Sequence, residues 1–319
     1  MIVRIRRLSI AATLVVITGV VAIGAFSWSA VDSTSFDDPA QSTVRNLEPA
    51  SSKHITFHGI SFDLDLTLAN DVTIKTIPAS ISGKPCDIWP EHPIFSLIGF
   101  PKRDKKHHVQ SEIKVFSIAD FRSAFESNTD DPGRSDVSQG TAAWTRYFDE
   151  EVRVLKLLLD EKPASNSVRA VLEKVRAEKG SCTEMPFLPI WEACQAFTAK
   201  VTSVDFENGK GVFFLTQWDL ETEQITNENL QYAFQGITND GKHYISGEFK
   251  VTAPGLKRGD EPEVLSWNER NYILDHGSPK YQAYSEPIIA NLEALPKARF
   301  QPKLELLDRL MGSLKVNVK

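Results

Sequence analysis

Thr198-Ala-Lys-Val-Thr-Ser-Val-Asp-Phe206 and Val212-Phe-Phe-Leu-Thr-Gln-Trp218 flank the run Glu207-Asn208-Gly209-Lys210-Gly211. A dozen residues on, Leu230-Gln-Tyr-Ala-Phe-Gln-Gly-Ile-Thr238 and His243-Tyr-Ile-Ser-Gly-Glu-Phe-Lys-Val251 flank Asn239-Asp240-Gly241-Lys242. Both stretches are rich in β-branched and aromatic residues and are broken by Asn, Asp and Gly, the pattern of antiparallel hairpins with glycine where a positive φ is needed. Two hairpins in succession predict a four-stranded antiparallel meander.

Upstream, Ile55-Thr-Phe57-His-Gly59-Ile60-Ser-Phe62-Asp-Leu64-Asp-Leu66 alternates apolar and polar residues on either side of Gly59, which predicts two more half-buried strands. Ile94 to Phe100 and Ile113 to Ile118 form a further pair across a charged loop. Ala119 to Thr145, rich in Ser, Asp, Gly and Thr, reads as an exposed loop. Helical periodicity follows over Asp149 to Asp160 (Val152, Leu155, Leu158, Leu159) and Ser167 to Glu178 (Val168, Val171, Leu172, Val175), with Gly180 as a stop. After the hairpins, a helix capped by Ser285 should run to Leu295. Pro302 should open a last helix, and Leu314 to Val318 can close the chain as a strand. The sum is an α+β domain, an antiparallel sheet built from successive hairpins with helices packed on one face.

The chain has 319 residues, and its start is of a different kind. Arg4, Arg6 and Arg7 precede an uncharged apolar run, Leu8 to Phe26, whose 19 residues would span ~28 Å as a helix, close to the ~30 Å hydrocarbon core of a bilayer. The arginines should stay in the cytoplasm, with everything after residue 31 exported. Residues 1–30 therefore read as a basic flank and a transmembrane anchor, 31–52 as a polar tether and 53–319 as a single exported domain. Ser27-Trp28-Ser29-Ala30 keeps open the alternative of a cleaved signal and a secreted product. Without the three arginines, 33 basic face 42 acidic side chains, a net of −9. That balance argues against nucleic acid as a partner and leaves the membrane and an envelope protein as the expected ones.

Three cysteines allow one bridge. Cys86 and Cys182 lie in loop-like surroundings and are the expected pair, with Cys194 left as a buried thiol.

Familiar chemistry is hard to find. No G-x-S-x-G elbow occurs. Gly209 and Gly211 begin a dinucleotide fingerprint that Phe214 breaks, so no cofactor is expected. His54 and His58, four apart on strands, are too distant for one zinc, and no metal is expected. His92 is the histidine best placed for a role. Asp149, Glu150 and Glu151 open a helix, where the macrodipole favours negative charge without any catalytic role. Gln195, Gln217, Trp218, Tyr232, Gln235 and Tyr244 remain as amides and aromatics that could line a ligand groove on the meander. The function expected is a membrane-anchored extracytoplasmic binding or scaffold module. The alternative is an exported hydrolase of unfamiliar type using Cys194 or scattered carboxylates.

The runs Pro186-Phe-Leu-Pro189, Phe206-Glu-Asn-Gly209-Lys-Gly211-Val-Phe-Phe-Leu215-Thr216 and Tyr232-Ala-Phe-Gln235-Gly236-Ile-Thr-Asn-Asp240-Gly241 resemble a family of secreted or envelope-attached bacterial proteins without an assigned function. The resemblance covers mainly the second half of the chain and implies an envelope location. It brings no catalytic residue. Phe213 stands where that family's pattern would have a basic residue, which puts any anion contact there in doubt.

Overall fold

The computed structural model describes residues 52–81, 83–100, 111–128, 137–175, 185–220, 223–258 and 279–318. The segment read as an anchor and nearly all of the tether lie outside the described residues. No helix among the described residues is long and apolar enough to cross a membrane. Leu47–Lys319 is one compact unit.

The quoted hairpins form as expected. β7 (Ala199–Phe206), β8 (Gly209–Thr216), β10 (Gln231–Thr238) and β11 (His243–Lys250) pair antiparallel in the order β7-β8-β10-β11. Gly241 takes the positive φ, 71°, at its turn. Gly209 and Gly211 do not: they lie inside β8. A Cβ on Gly211 would overlap the Phe234 ring, and one on Gly209 would overlap the Phe206 ring. These glycines make room for aromatic rings, so the turn itself is Glu207-Asn208.

The meander is half of a larger sheet. β3 (Asp71–Ile77), β4 (His92–Ile98) and β5 (Glu112–Ser117) form a second meander, and β5 pairs antiparallel with β11. The seven strands run β3-β4-β5-β11-β10-β8-β7. β1 (Ser52–Phe57) and β2 (Ile60–Asp65) join β12 (Lys315–Val316) in a three-stranded sheet. β6 (Cys194–Gln195) and β9 (Trp218–Asp219) make a short ribbon. The turn between β1 and β2 demands Gly59, at φ 81°, because Asn317 N–H donates to its carbonyl at 2.8 Å and a Cβ would meet Asn317 O at 2.6 Å.

Three expectations need correction. The helix expected to be capped by Ser285 covers Pro279–Ala294 and holds Ser285 buried in its interior. Much of Ala119 to Thr145 is helical. α1 (Ile118–Ser127) starts at Ser117, whose side chain accepts the Asp120 N–H, and buries Phe121, Ala124 and Phe125 at helical spacing. α2 (Val137–Glu161) begins well before Asp149 and aligns Phe148, Val152, Leu155 and Leu159. Nor are the helices on one face of the sheet. Alternation within β8 and β10 sends Val212, Phe214, Ala233 and Ile237 to one core with α1, α2 and α3 (Val168–Val175). It sends Phe213, Leu215, Tyr232 and Phe234 to another. That second core is closed by the small sheet, α4 (Pro279–Ala294) and α5 (Leu304–Gly312), which contribute Phe62, Leu292, Leu307 and Met311. Both faces of the central strands are therefore buried, so β10 reads as a continuous buried run.

Candidate binding site

The six residues expected to line a groove are distributed by the pleat and by the loop Met185 to Pro189. That loop has no strand partner, so its backbone N–H groups must be satisfied by side chains. Gln195 accepts the Met185 N–H and donates to the Met185 carbonyl, both at 3.0 Å. Glu151, from α2, accepts the Phe187 N–H at 3.0 Å. Gln235 accepts the Leu188 N–H at 3.1 Å and the Tyr244 hydroxyl, and donates to Ser246 Oγ at 3.0 Å. Gln195, Gln235 and Tyr244 thus come together, buried, as the fastening of a loop. Gln217 is also buried and holds another turn, donating to Asp219 and to the Gln224 carbonyl at 2.8 and 2.9 Å. Tyr232 lies on the opposite face, stacked on Phe213 with centroids 4.3 Å apart and its hydroxyl 3.2 Å from Asp308. Phe213 is a core residue. Trp218 is half-buried between Phe187 and Trp191, at 4.6 and 5.9 Å. The six residues do not share one groove.

The face that carries Gln235 also carries a group that the residue pattern alone does not mark. Register puts Glu112 opposite Glu248, Lys114 opposite Ser246 and Gln231 opposite Lys250, all on the same side of β5, β11 and β10. Lys114 Nζ bridges two carboxylates, 2.7 Å from Glu112 and 3.1 Å from Glu248. Burial works against the Lys114 ammonium, but the pull of Glu248 and Glu112 outweighs it and holds the group above the ordinary lysine range. Burial pushes Glu248 up against the pull of the same lysine. Burial also lowers Lys250. On this face, among the described residues, two acceptors have no hydrogen-bond partner: Glu248 Oε2 and Gln231 Oε1, on side chains of residues 2% and 5% exposed. A buried acceptor without a donor costs ~1–3 kcal/mol, more on a charged group. Glu248 Oε2, on the carboxylate that Lys114 holds, and Gln231 Oε1, on the neighbouring strand opposite Lys250, are acceptors that suit a ligand bringing N–H donors.

The signal for this site is present as Glu112-Ile-Lys114-Val and Ser246-Gly-Glu248-Phe-Lys250, polar residues alternating with apolar ones. Alternation alone cannot separate a wet face from a buried polar one.

Other candidates resolve simply. His92 is buried, with Nδ1 2.7 Å from the Pro90 carbonyl and its ring 4.3 Å from Phe116, and burial lowers its pKa. His54 meets Asp63 at 2.7 Å on an exposed pair of strands. Among the described residues no group of three or more His, Cys, Asp or Glu is placed to hold a metal ion. The expected Cys86 to Cys182 bridge is overturned: Cys86 is a free thiol, and Cys194 is disulfide-bonded. Cys182 lies outside the described residues. The apolar neighbours of Cys194 suggest isolation, but β6 is a two-residue ribbon whose cysteine is only half-buried. A bonded sulfur is no nucleophile, which removes the thiol chemistry of the hydrolase alternative. No family model matches the chain, and no curated protein or solved structure matches it either.

Proposed function

We propose that this chain is a membrane-tethered extracytoplasmic module that binds a small ligand bearing amine or amide N–H donors at the polar half of the central sheet. The observation that carries the binding reading is the pair of unpartnered acceptors on one face of the sheet, Glu248 Oε2 beside the Lys114 bridge and Gln231 Oε1 on the neighbouring strand. The basic flank and apolar run at residues 4–26 support the tether. The Cys194 disulfide supports an oxidising compartment, because such bonds are rare where thiols are kept reduced. Envelope attachment is also what the resemblance of the Pro186-to-Gly241 motifs implies.

Native mass spectrometry of the full chain, extracted in detergent from its own membranes, tests the reading. The wild type should carry a nitrogen-bearing small molecule that is lost from Glu248→Gln and Gln231→Leu while both variants keep the wild-type circular dichroism spectrum. A wild type without such an adduct, or one retained equally by both variants, would overturn it.

A further inference from the structure

The two ends of the seven-stranded sheet are finished differently. At the β7 end, two backbone N–H groups at the start of the strand are capped: Lys200 N–H donates to Glu293 at 2.8 Å and Val201 N–H to Ser165 Oγ at 2.9 Å. A register shift between Ala199 and Thr202, with Lys200 at φ 55°, bends the strand away from further pairing. Bulges and caps of this kind keep an edge strand from recruiting another chain.

β3, at the other end, keeps an unbroken register over seven residues against β4. Leu97 N–H donates to the Ser111 carbonyl, on the β5 side, so the odd residues of β4 face β5 and the even ones face β3. It follows that Asp71, Thr73, Lys75 and Ile77 of β3 are tied to β4 and that the backbone groups of Val72, Ile74 and Thr76 point outward. Val72 N–H is met by its neighbour Asp71 at 2.8 Å, and the same carboxylate oxygen takes Lys53 of β1 at 2.6 Å. Val72 and Ile74 sit half-exposed at the rim of the core, and Ile98, opposite Asp71, is 46% exposed.

We infer that β3 is a homodimerisation edge, where two copies of this chain pair antiparallel through their β3 strands about a two-fold axis. The occupant follows from the strand's own charges. In an antiparallel pair centred on Thr73, the outward-facing residues meet as Val72 opposite Ile74, and Asp71 of each copy lies opposite Lys75 of the other. Both charge pairs have opposite signs, and both apolar pairs cover surface that is open in the protomer. The strand is self-complementary at the register that its outward backbone groups allow, and one continuous fourteen-stranded sheet results from seven strands in each copy. This inference does not depend on the ligand reading.

Full-length protein in detergent, with Cys86→Ser removing the free thiol, tests it by two routes. Thr73→Cys should give an intermolecular disulfide under mild oxidation, because facing residues of a non-hydrogen-bonded pair sit ~4.5 Å apart at Cα, within disulfide reach. Leu220→Cys, at a position 80% exposed and remote from β3, should not. In sedimentation equilibrium, the wild type should run as a dimer. Lys75→Asp should weaken it about tenfold, the effect of like charges placed directly opposite on both sides of the axis, and Lys75→Arg should keep it. A wild type that remains monomeric, a Thr73→Cys variant that cross-links no faster than Leu220→Cys, or a Lys75→Asp variant as tight a dimer as the wild type would each overturn the proposal.

Discussion

Gln235 makes three hydrogen bonds inside the protein, to the Leu188 N–H, the Tyr244 hydroxyl and Ser246 Oγ. Gln235→Leu would leave a buried N–H and a buried phenol without partners, a loss of roughly 3 kcal/mol. Urea denaturation should show that loss as a lower midpoint with an unchanged slope, and a variant as stable as the wild type would contradict the fastening role. His92 gives a pH dependence. Because burial lowers its pKa below the usual 6.5, the unfolded chain takes the proton first. Its contribution is therefore intact above pH 6.5 and lost as pH falls towards the depressed folded value. The stability gap between wild type and His92→Asn should narrow from about pH 7.5 to about pH 5.5, either side of the ordinary histidine value, and a constant gap would contradict that placement. At this scale the sequence is ambiguous for a definite reason. Gln195 and Gln235 have the residue type of a ligand groove, yet an irregular loop uses them up. Glu248 has the residue type of a wet strand face, yet it is buried.

At the scale of elements, the glycines of β8 matter through volume. Gly211→Ala would drive a methyl group into the Phe234 ring and should cost about 1–3 kcal/mol, the usual penalty for overpacking a close-packed core. A thermal midpoint unchanged from wild type would show that the ring has room. In α5, Leu307→Ala should cost about 2–5 kcal/mol, because Leu307 is fully buried in the core beneath the small sheet. Its urea midpoint should fall accordingly, and an unchanged midpoint would contradict that packing. Hairpins and the last helix are legible because their periodicity is strong and Gly241 and Pro302 punctuate them, whereas Ser285, which has the residue type of a cap, lies inside a helix. α1 is hard to see although Ser117, Phe121, Ala124 and Phe125 carry a cap and a helical stripe, since polar neighbours dilute the pattern. β3 escapes notice because Val72 and Ile74 alternate with threonine and lysine, a weak signal in a strand only half-buried at the sheet's edge.

For the whole molecule, the sheet is a divider between two cores, and that explains why the expected one-sided packing does not hold. Runs such as Val212-Phe-Phe-Leu215 have no polar alternation, which is what a strand buried on both faces requires. The location outside the cytoplasm is the proposition on which tether and ligand depend, and the cysteines report on it. Cys86 is free and Cys194 is bonded, so the sulfur chemistry differs with the compartment. Intact cells, quenched with acid and then denatured, can be labelled with a maleimide polymer that adds a countable mass per thiol. The account predicts one labelled cysteine without reductant, lost in Cys86→Ser, and all three after reduction. Three labelled cysteines before any reductant is added would place the chain in a reducing compartment and contradict it.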